Sequence, residues 1–291
     1  MNVTLFGATG VIGQALLPLL SAEHEVRAVS RGVRENGPRV RWVVADAAAG
    51  TGLDAAVADA QVVYYLVHSL GSSDFERQDR VAAENVARAA SRAGVGQIVY
   101  LGGLGAEGED ASPHLRSRRD TGVVLASEGV PVTTLRAAMV IGKGSAAFET
   151  IVALVDRLPA MLTPSWVSTP TQPIALDDIV RYLAGVCGNE QARGEEYDAG
   201  GPEVMTYRQM IERVAVLRGR RPLIVEVPVL SPRLSSLWLQ LVTPAEASVA
   251  RPLVEGLRNP TVAREERIRT LVPFGLTSFD EAARKALSAS G

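Results

Sequence analysis

Short runs that are apolar on both faces recur through the first half of the chain, at residues 3–6, 26–29, 40–44, 62–66, 98–101 and 132–135. Between them, residues 11–22, 75–93 and 115–128 read as helices. Strands that are apolar on both faces are buried on both, and helix-length connections let them lie parallel. The pattern predicts an α/β fold, a doubly wound parallel sheet with helices on both sides. After about residue 142 the alternation decays. Helical stretches at 148–157, 177–187, 207–217, 233–241 and 279–287 are interrupted by short extended pieces at 196–198 and 223–227. Pro159, Pro164, Pro170 and Pro173 mark a loop-rich crossing. Residues 1–142 are therefore expected to form the sheet domain and 143–291 a smaller, mainly helical lobe, some of whose elements return to the sheet. Ligands of such sheets bind beyond the carboxyl ends of the strands, and the lobe is expected to cover that end.

Composition narrows the partners. The 291 residues are 47% hydrophobic and 21% charged, with a mean hydropathy of +0.12, which suffices for a sizeable core. Thirty basic against 32 acidic residues leave a net charge of −2. That balance gives no field for a phosphate backbone, so nucleic acid is not an expected partner. The one cysteine, Cys187, cannot pair internally, and His24, His68 and His114 lie too far apart in sequence for a metal motif. No metal is expected. No apolar run reaches the roughly 18 residues of a membrane span and no basic leader precedes the first strand, so a cytoplasmic location is expected. Nothing in the pattern fixes the oligomeric state. Among the basic residues only Lys143 and Lys285 are lysine.

The chemistry begins at the first strand-to-helix turn. In VTLFGATGVIGQALLPLL, Gly7, Gly10 and Gly13 follow the strand and open the helix. The first allows a tight turn, the second lets backbone approach a pyrophosphate, and the third lets the helix pack closely on the sheet. Thr9, Val11 and Ile12 complete the loop, whose helix N-terminus favours phosphate. At the end of the second strand an acidic residue would take the ribose hydroxyls of NAD, but the sequence there is AVSRGVR. Ser30, Arg31 and Arg34 instead suit a 2′-phosphate, so NADPH/NADP is expected, unless the two arginines are only solvated charges. Asp46, ending the third strand, is placed either to contact the adenine amino group or to cap a loop. Leu66, Val67 and His68, after the fourth strand, are expected at the nicotinamide end.

YYLVHS at residues 64–69, IVYLGGLG at 98–105, SPHLRSR at 112–118, LRAAMVIG at 135–142 and TQPIALDDIV at 171–180 carry a wider likeness. With the GxxGxxG loop, they resemble the short-chain dehydrogenase/reductase superfamily, in its atypical and extended branch, among bacterial NAD(P)H-binding proteins. The resemblance spans essentially the whole chain and implies a Rossmann fold. Typical members use a serine on the carbonyl oxygen, a tyrosine as proton donor, and a lysine four residues later. Here the serine position falls on Gly102 or Gly103, and the tyrosine and lysine positions on His114 and Arg118. None of the six tyrosines has a lysine four residues on.

Three readings stay open. The first is an atypical ketoreductase that reduces a carbonyl of a bulky, aromatic or polyketide-like small molecule of the kind met in antibiotic biosynthesis. In it His114 is the near-neutral acid and Arg118 an anchoring charge; solvent or a substrate hydroxyl could supply the proton instead. The second is an inactive NADP(H)-binding sensor, and the third an accessory or assembly subunit. His114 also reads as a solvated residue of a helix first turn, since Ser112 before Pro113 makes an N-cap. Ser69, Met139, Trp166 and Trp238 are candidate substrate contacts, with core packing as the alternative for Met139 and both tryptophans.

Overall fold

A computed structural model describes residues 1–68, 74–105, 112–227 and 259–288. The first half contributes β1 (Asn2–Phe6), α1 (Val11–Glu23), β2 (Glu25–Ser30), β3 (Val40–Val44) and α2 (Leu53–Val57). It continues through β4 (Val62–Tyr65), α3 (Phe75–Arg92), β5 (Gln97–Gly103), α4 (Pro113–Ala126) and β6 (Val132–Ala137). The second half adds β7 (Val140–Ile141), α5 (Ala146–Arg157), β8 (Ala160–Pro164), a 3-10 turn (Ser165–Ser168), β9 (Pro170–Thr171) and β10 (Ile174–Ala175). Then follow α6 (Leu176–Gly185), β11 (Glu196–Ala199), β12 (Met205–Thr206), α7 (Tyr207–Leu217), β13 (Leu223–Val227), α8 (Arg267–Leu271) and α9 (Phe279–Ser288).

Seven strands form one parallel sheet in the order β11-β6-β5-β4-β1-β2-β3. This is the expected doubly wound Rossmann sheet, and its order reverses between β1 and β4, where ligands of such sheets bind. Strand alternation separates two cores. Val3, Leu5 and Tyr64 face Leu16 and Leu20 of α1 and Ile179 and Leu183 of α6. Phe6, Tyr65 and Tyr100 face α2, α3 and α4 through Ala56, Val86 and Leu125. Each fully buried large side chain contributes about 1.5–3 kcal/mol. The tyrosine hydroxyls add directional ties: Tyr64 donates to the Leu183 carbonyl at 2.8 Å, and Tyr100 to the Arg118 carbonyl at 2.8 Å.

A third apolar cluster, from α5, α7 and α9 with Phe148, Met210, Val214 and Phe279, is the core of the mainly helical lobe. The chain beyond residue 142 does not stay in that lobe: α6 covers the sheet, β11 extends it beyond β6, and Ile268 of α8 joins the sheet-side core. Buried acids hold this return path. Asp198, only 1% exposed, accepts from Arg136 Nε at 2.8 Å and from the Arg264 backbone at 2.8 Å. Asp178, also buried, accepts from the backbone and hydroxyl of Thr277 at 2.7 and 2.9 Å.

Some expectations shift. The proline-marked crossing contains β8, which pairs in parallel with β13; Pro164 ends one strand and Pro170 begins the next, positions where a missing N–H is tolerated. Strand β5 runs on through Gly102 and Gly103 because both pair with β6. Helix α2 is too short for a periodic signal and starts from Gly52 in the left-handed region, φ 72°. The helix expected at 233–241 lies outside the described residues. Among those described, no helix is long and apolar enough to cross a membrane.

Removing a buried acceptor leaves its donors short of a partner. Asp198→Ala is therefore expected to cost about 1–3 kcal/mol in urea unfolding, since the Arg264 N–H loses its acceptor and Arg136 keeps Glu196. A loss below about 1 kcal/mol would show that the C-terminal return does not rest on this acceptor.

Candidate functional site

The three loop glycines are required for different reasons. Gly7 has φ +83°, and a Cβ there would stand 2.6 Å from the Leu66 carbonyl oxygen. A Cβ on Gly13 would lie 2.2 Å from the Gly7 carbonyl oxygen. Both glycines are thus dictated by packing of loop, strand and helix. Gly10 is not: it is exposed, its φ is −78°, and a Cβ would meet nothing closer than the Gly7 oxygen at 3.4 Å. The clearance in front of Gly10 is unused by the fold, and α1 begins there without a side-chain cap. A bare helix N-terminus with open backbone is a cradle for a pyrophosphate.

The loop opens into a cleft of about 530 Å³. Gly7, Gly10, Val11, Ile12, Gly13 and Leu66 line one end, and His68, His114, Arg118 and Met139 line it further on. Segments separated by more than a hundred residues are thereby gathered at the switch point. Thr9 and Val67 flank the cleft without lining it; Thr9 offers its carbonyl to Gln14 Nε2 at 2.6 Å, and Val67 packs on the helix-side core.

His114 and Arg118 share a face of α4 because they are four residues apart. The expected cap forms, with Ser112 accepting from the Leu115 N–H and Pro113 in the first turn. Arg118 is held from behind: its guanidinium donates to the Leu101 carbonyl and lies 5.2 Å from the Tyr100 ring centroid. His68 is exposed at the cleft, and partial desolvation there, with the Arg118 charge, lowers its pKa. Desolvation, Arg118 and His68 together lower His114 to about 4. The near-neutral acid expected of His114 is thus a neutral imidazole, about 10⁻³ protonated near pH 7. At the end of β5 no hydroxyl replaces the serine, and a Cβ on Gly103 would press on Leu115 at 3.3 Å.

The remaining cofactor candidates stand apart from the cleft, at the ends of β2 and β3. Arg31 and Arg34 are exposed, and neither has an ion-pair partner among the described residues. Arg34 lies 5.2 Å from the Trp42 ring centroid. Ser30 spends its proton on the Gly32 carbonyl, so it shapes the turn more than it offers a donor. Asp46 accepts from the Ala48 and Ala49 backbone at 2.9 and 3.0 Å, the loop cap that was the alternative to an adenine contact.

Trp166 stands edge-on behind Tyr207, ring centroids 6.2 Å apart, within the lobe core and not in the cleft lining. Ser69 and Trp238 lie outside the described residues. Sequence reasoning missed Tyr207, Thr261 and residues 144–147, all of which line the cleft. Thr206 and Gln209 form a capping box, a spacing legible in the sequence, and it places Tyr207 first in α7. Nothing local shows that this helix start faces the cleft. Burial raises the Tyr207 pKa, opposed by the nearby Thr171 and Thr261 hydroxyls. No group of three or more potential metal ligands gathers among the described residues.

Comparison with known proteins agrees with this geometry. A family model described as NAD(P)H-binding matches residues 7–146. Among curated proteins, none matches the sequence. The Citrobacter sp. triphenylmethane reductase complexed with NADP(H) superposes with TM-score 0.78 at 19% identity, covering 98% of this chain and 100% of its own. The NADPH-dependent quinone oxidoreductase of Escherichia coli, complexed with NADPH, gives 0.76 at 19%, covering 97% and 98%. A nucleoside-diphosphate-sugar epimerase of Staphylococcus aureus gives 0.78 at 17%, covering 98% and 100%. These likenesses establish the fold. The family match over residues 7–146, on the same stretch as the glycine loop, makes that part of the chain similar to NAD(P)H-binding domains.

His114 makes a stability prediction. Its folded pKa of about 4 lies below the unfolded value near 6.5, so the unfolded chain binds more protons between the two. Its contribution is complete above about pH 6.5 and is lost as pH falls towards about 4. Melting temperature is expected to drop across that window, and less steeply in His114→Gln; His68 is exposed, so solvent screens its share and His68→Gln should change the slope less. Unchanged steepness in His114→Gln would place the acid sensitivity elsewhere.

Proposed function

We propose that the protein is an NADPH-dependent oxidoreductase that reduces a carbonyl of a bulky aromatic or polyketide-like compound. The observation that carries this reading is the continuity of one cleft from the Gly10 cradle to an apolar chamber whose polar side chains near α4, among the described residues, are His68, His114 and Arg118. The glycine loop would hold NADPH, with Arg31 and Arg34 at its 2′-phosphate, and the bound cofactor would supply the hydride for a carbonyl carbon. The chain's task is then to carry the oxygen as it becomes negative. Neutral His114 offers an N–H hydrogen bond to that oxygen, and Arg118, one turn further along α4, is an anchoring charge for the substrate. Solvent completes protonation. Leu66, Leu101, Leu104 and Met139 give an apolar wall suited to an aromatic body. The names of the Citrobacter and E. coli proteins, reductases of a dye and of quinones, support an acceptor of this kind.

Two measurements test the reading. NADPH should bind at least tenfold more tightly than NADH, about 1.4 kcal/mol, and Arg31→Ala should remove most of that gap; equal affinities would refute the NADP preference. In single turnovers with a panel of aromatic ketones and quinones, His114→Ala should slow NADPH oxidation by about 10²-fold, the usual loss for one oxyanion donor. A retained rate would discard His114 and keep the enzyme. Tight NADPH binding with no oxidation by any acceptor would favour the sensor.

A further inference from the structure

Arg118 is half-buried, yet no carboxylate among the described residues comes within ion-pair distance of it. Its guanidinium meets a carbonyl and a ring face: it donates to Leu101 and lies against Tyr100. Neither cancels its charge. The cleft it lines contains no Asp or Glu among the described lining residues; its titratable side chains there are His68, His114, Arg118 and the Tyr207 phenol. From behind the sheet, buried Asp79 of α3 acts on Tyr65 and Tyr100 without pairing with Arg118. A guanidinium has five donors in a rigid fork, and one carbonyl uses only part of it. Half-buried charges are ordinarily paired. Other partly buried arginines are paired: Arg136 and Arg213 both hold carboxylates.

We propose that Arg118 anchors a carboxylate borne by the aromatic substrate, so that the cleft selects aromatic acids over their uncharged counterparts. The proposal rests on the carbonyl-reduction reading for the identity of the site and deepens it by naming the charge of the substrate. The guanidinium is pre-set for this by the Leu101 carbonyl and the Tyr100 ring, which hold it facing the chamber and leave donors for a bidentate contact. His68 and His114, flanking it, have N–H groups to offer and no negative charge to repel an anion. Substrate carboxylate would also relieve the unfavourable field that Arg118 imposes on both imidazoles.

The test uses the NADP⁺-loaded protein with two probes of the same shape, naphthoate and naphthamide, titrated by calorimetry. Naphthoate is expected to bind at least tenfold more tightly. Arg118→Gln should erase that difference, Arg118→Lys should keep part of it, and both variants should hold NADP⁺ within about twofold of the parent. Histidine resonances of His68 and His114 should titrate at higher pH with naphthoate bound and stay put with naphthamide. Equal affinity for the two probes, or binding of neither, overturns the proposal. So does an Arg118→Gln variant that loses NADP⁺ tenfold while preserving the naphthoate preference, since Arg118 would then serve the cofactor. Naphthoate selectivity in a protein that oxidises NADPH with no carbonyl compound would uphold the anion site and reject carbonyl reduction. Turnover of uncharged ketones with no naphthoate selectivity would do the reverse.

Discussion

The constraint on which the cleft depends is the contact of α1 with the loop that precedes it. The Gly13 backbone comes so near the Gly7 carbonyl that any Cβ would overlap it, and Gly7 in turn is seated against the Leu66 carbonyl at the end of β4. These contacts fix the first helix directly over the point where strand order reverses. The position of the cleft follows: Leu66 leads into His68, and Val11 at the head of α1 receives Gly144, whose Cβ position is 3.1 Å from Val11 Cγ2. A displaced α1 would close one end of the cleft and open the sheet core that Leu16 and Leu20 fill.

From that fixed end the chemistry changes along the cleft. Backbone and small residues face the cradle, where a diphosphate needs close approach and a helix terminus. Further on, α4 presents an imidazole and a guanidinium in a wall otherwise apolar. The low pKa of the two histidines follows from that composition: desolvation and Arg118 both work against a second cation. Among the described lining residues the cleft therefore offers imidazole N–H groups and a guanidinium, with no group poised to give up a proton at neutral pH.

Legibility in the sequence followed the range of the interactions involved. Strands β1, β2 and β4 and helix α1 were readable because apolar runs and glycine spacing act within a few residues. The Ser112–Pro113 cap was readable for the same reason. Tyr207 and Thr261 were not, since they reach the cleft only because the C-terminal return is held by Asp198 and Asp178 across more than sixty residues of sequence. Asp46 and Trp166 were ambiguous as sequence because their neighbours come from elsewhere in the fold or the loop: backbone N–H groups for the aspartate, Tyr207 for the tryptophan. His114 was correctly placed on a helix first turn, but its protonation state depended on Arg118 and His68 and so on tertiary burial.

The central claim is that Gly7 and Gly13 serve the fold while Gly10 serves the ligand. Comparing Gly10→Val with Gly13→Ala, by melting temperature and by NADPH titration on the same samples, tests it most directly. Gly10→Val should melt within about 2 °C of the parent, a stability change of roughly 0.5–1 kcal/mol or less for a chain of this size, and lose most of its NADPH affinity. Gly13→Ala should lose stability and binding together. A Gly10→Val protein that melts early, or that melts normally and still binds NADPH with parental affinity, would contradict the account.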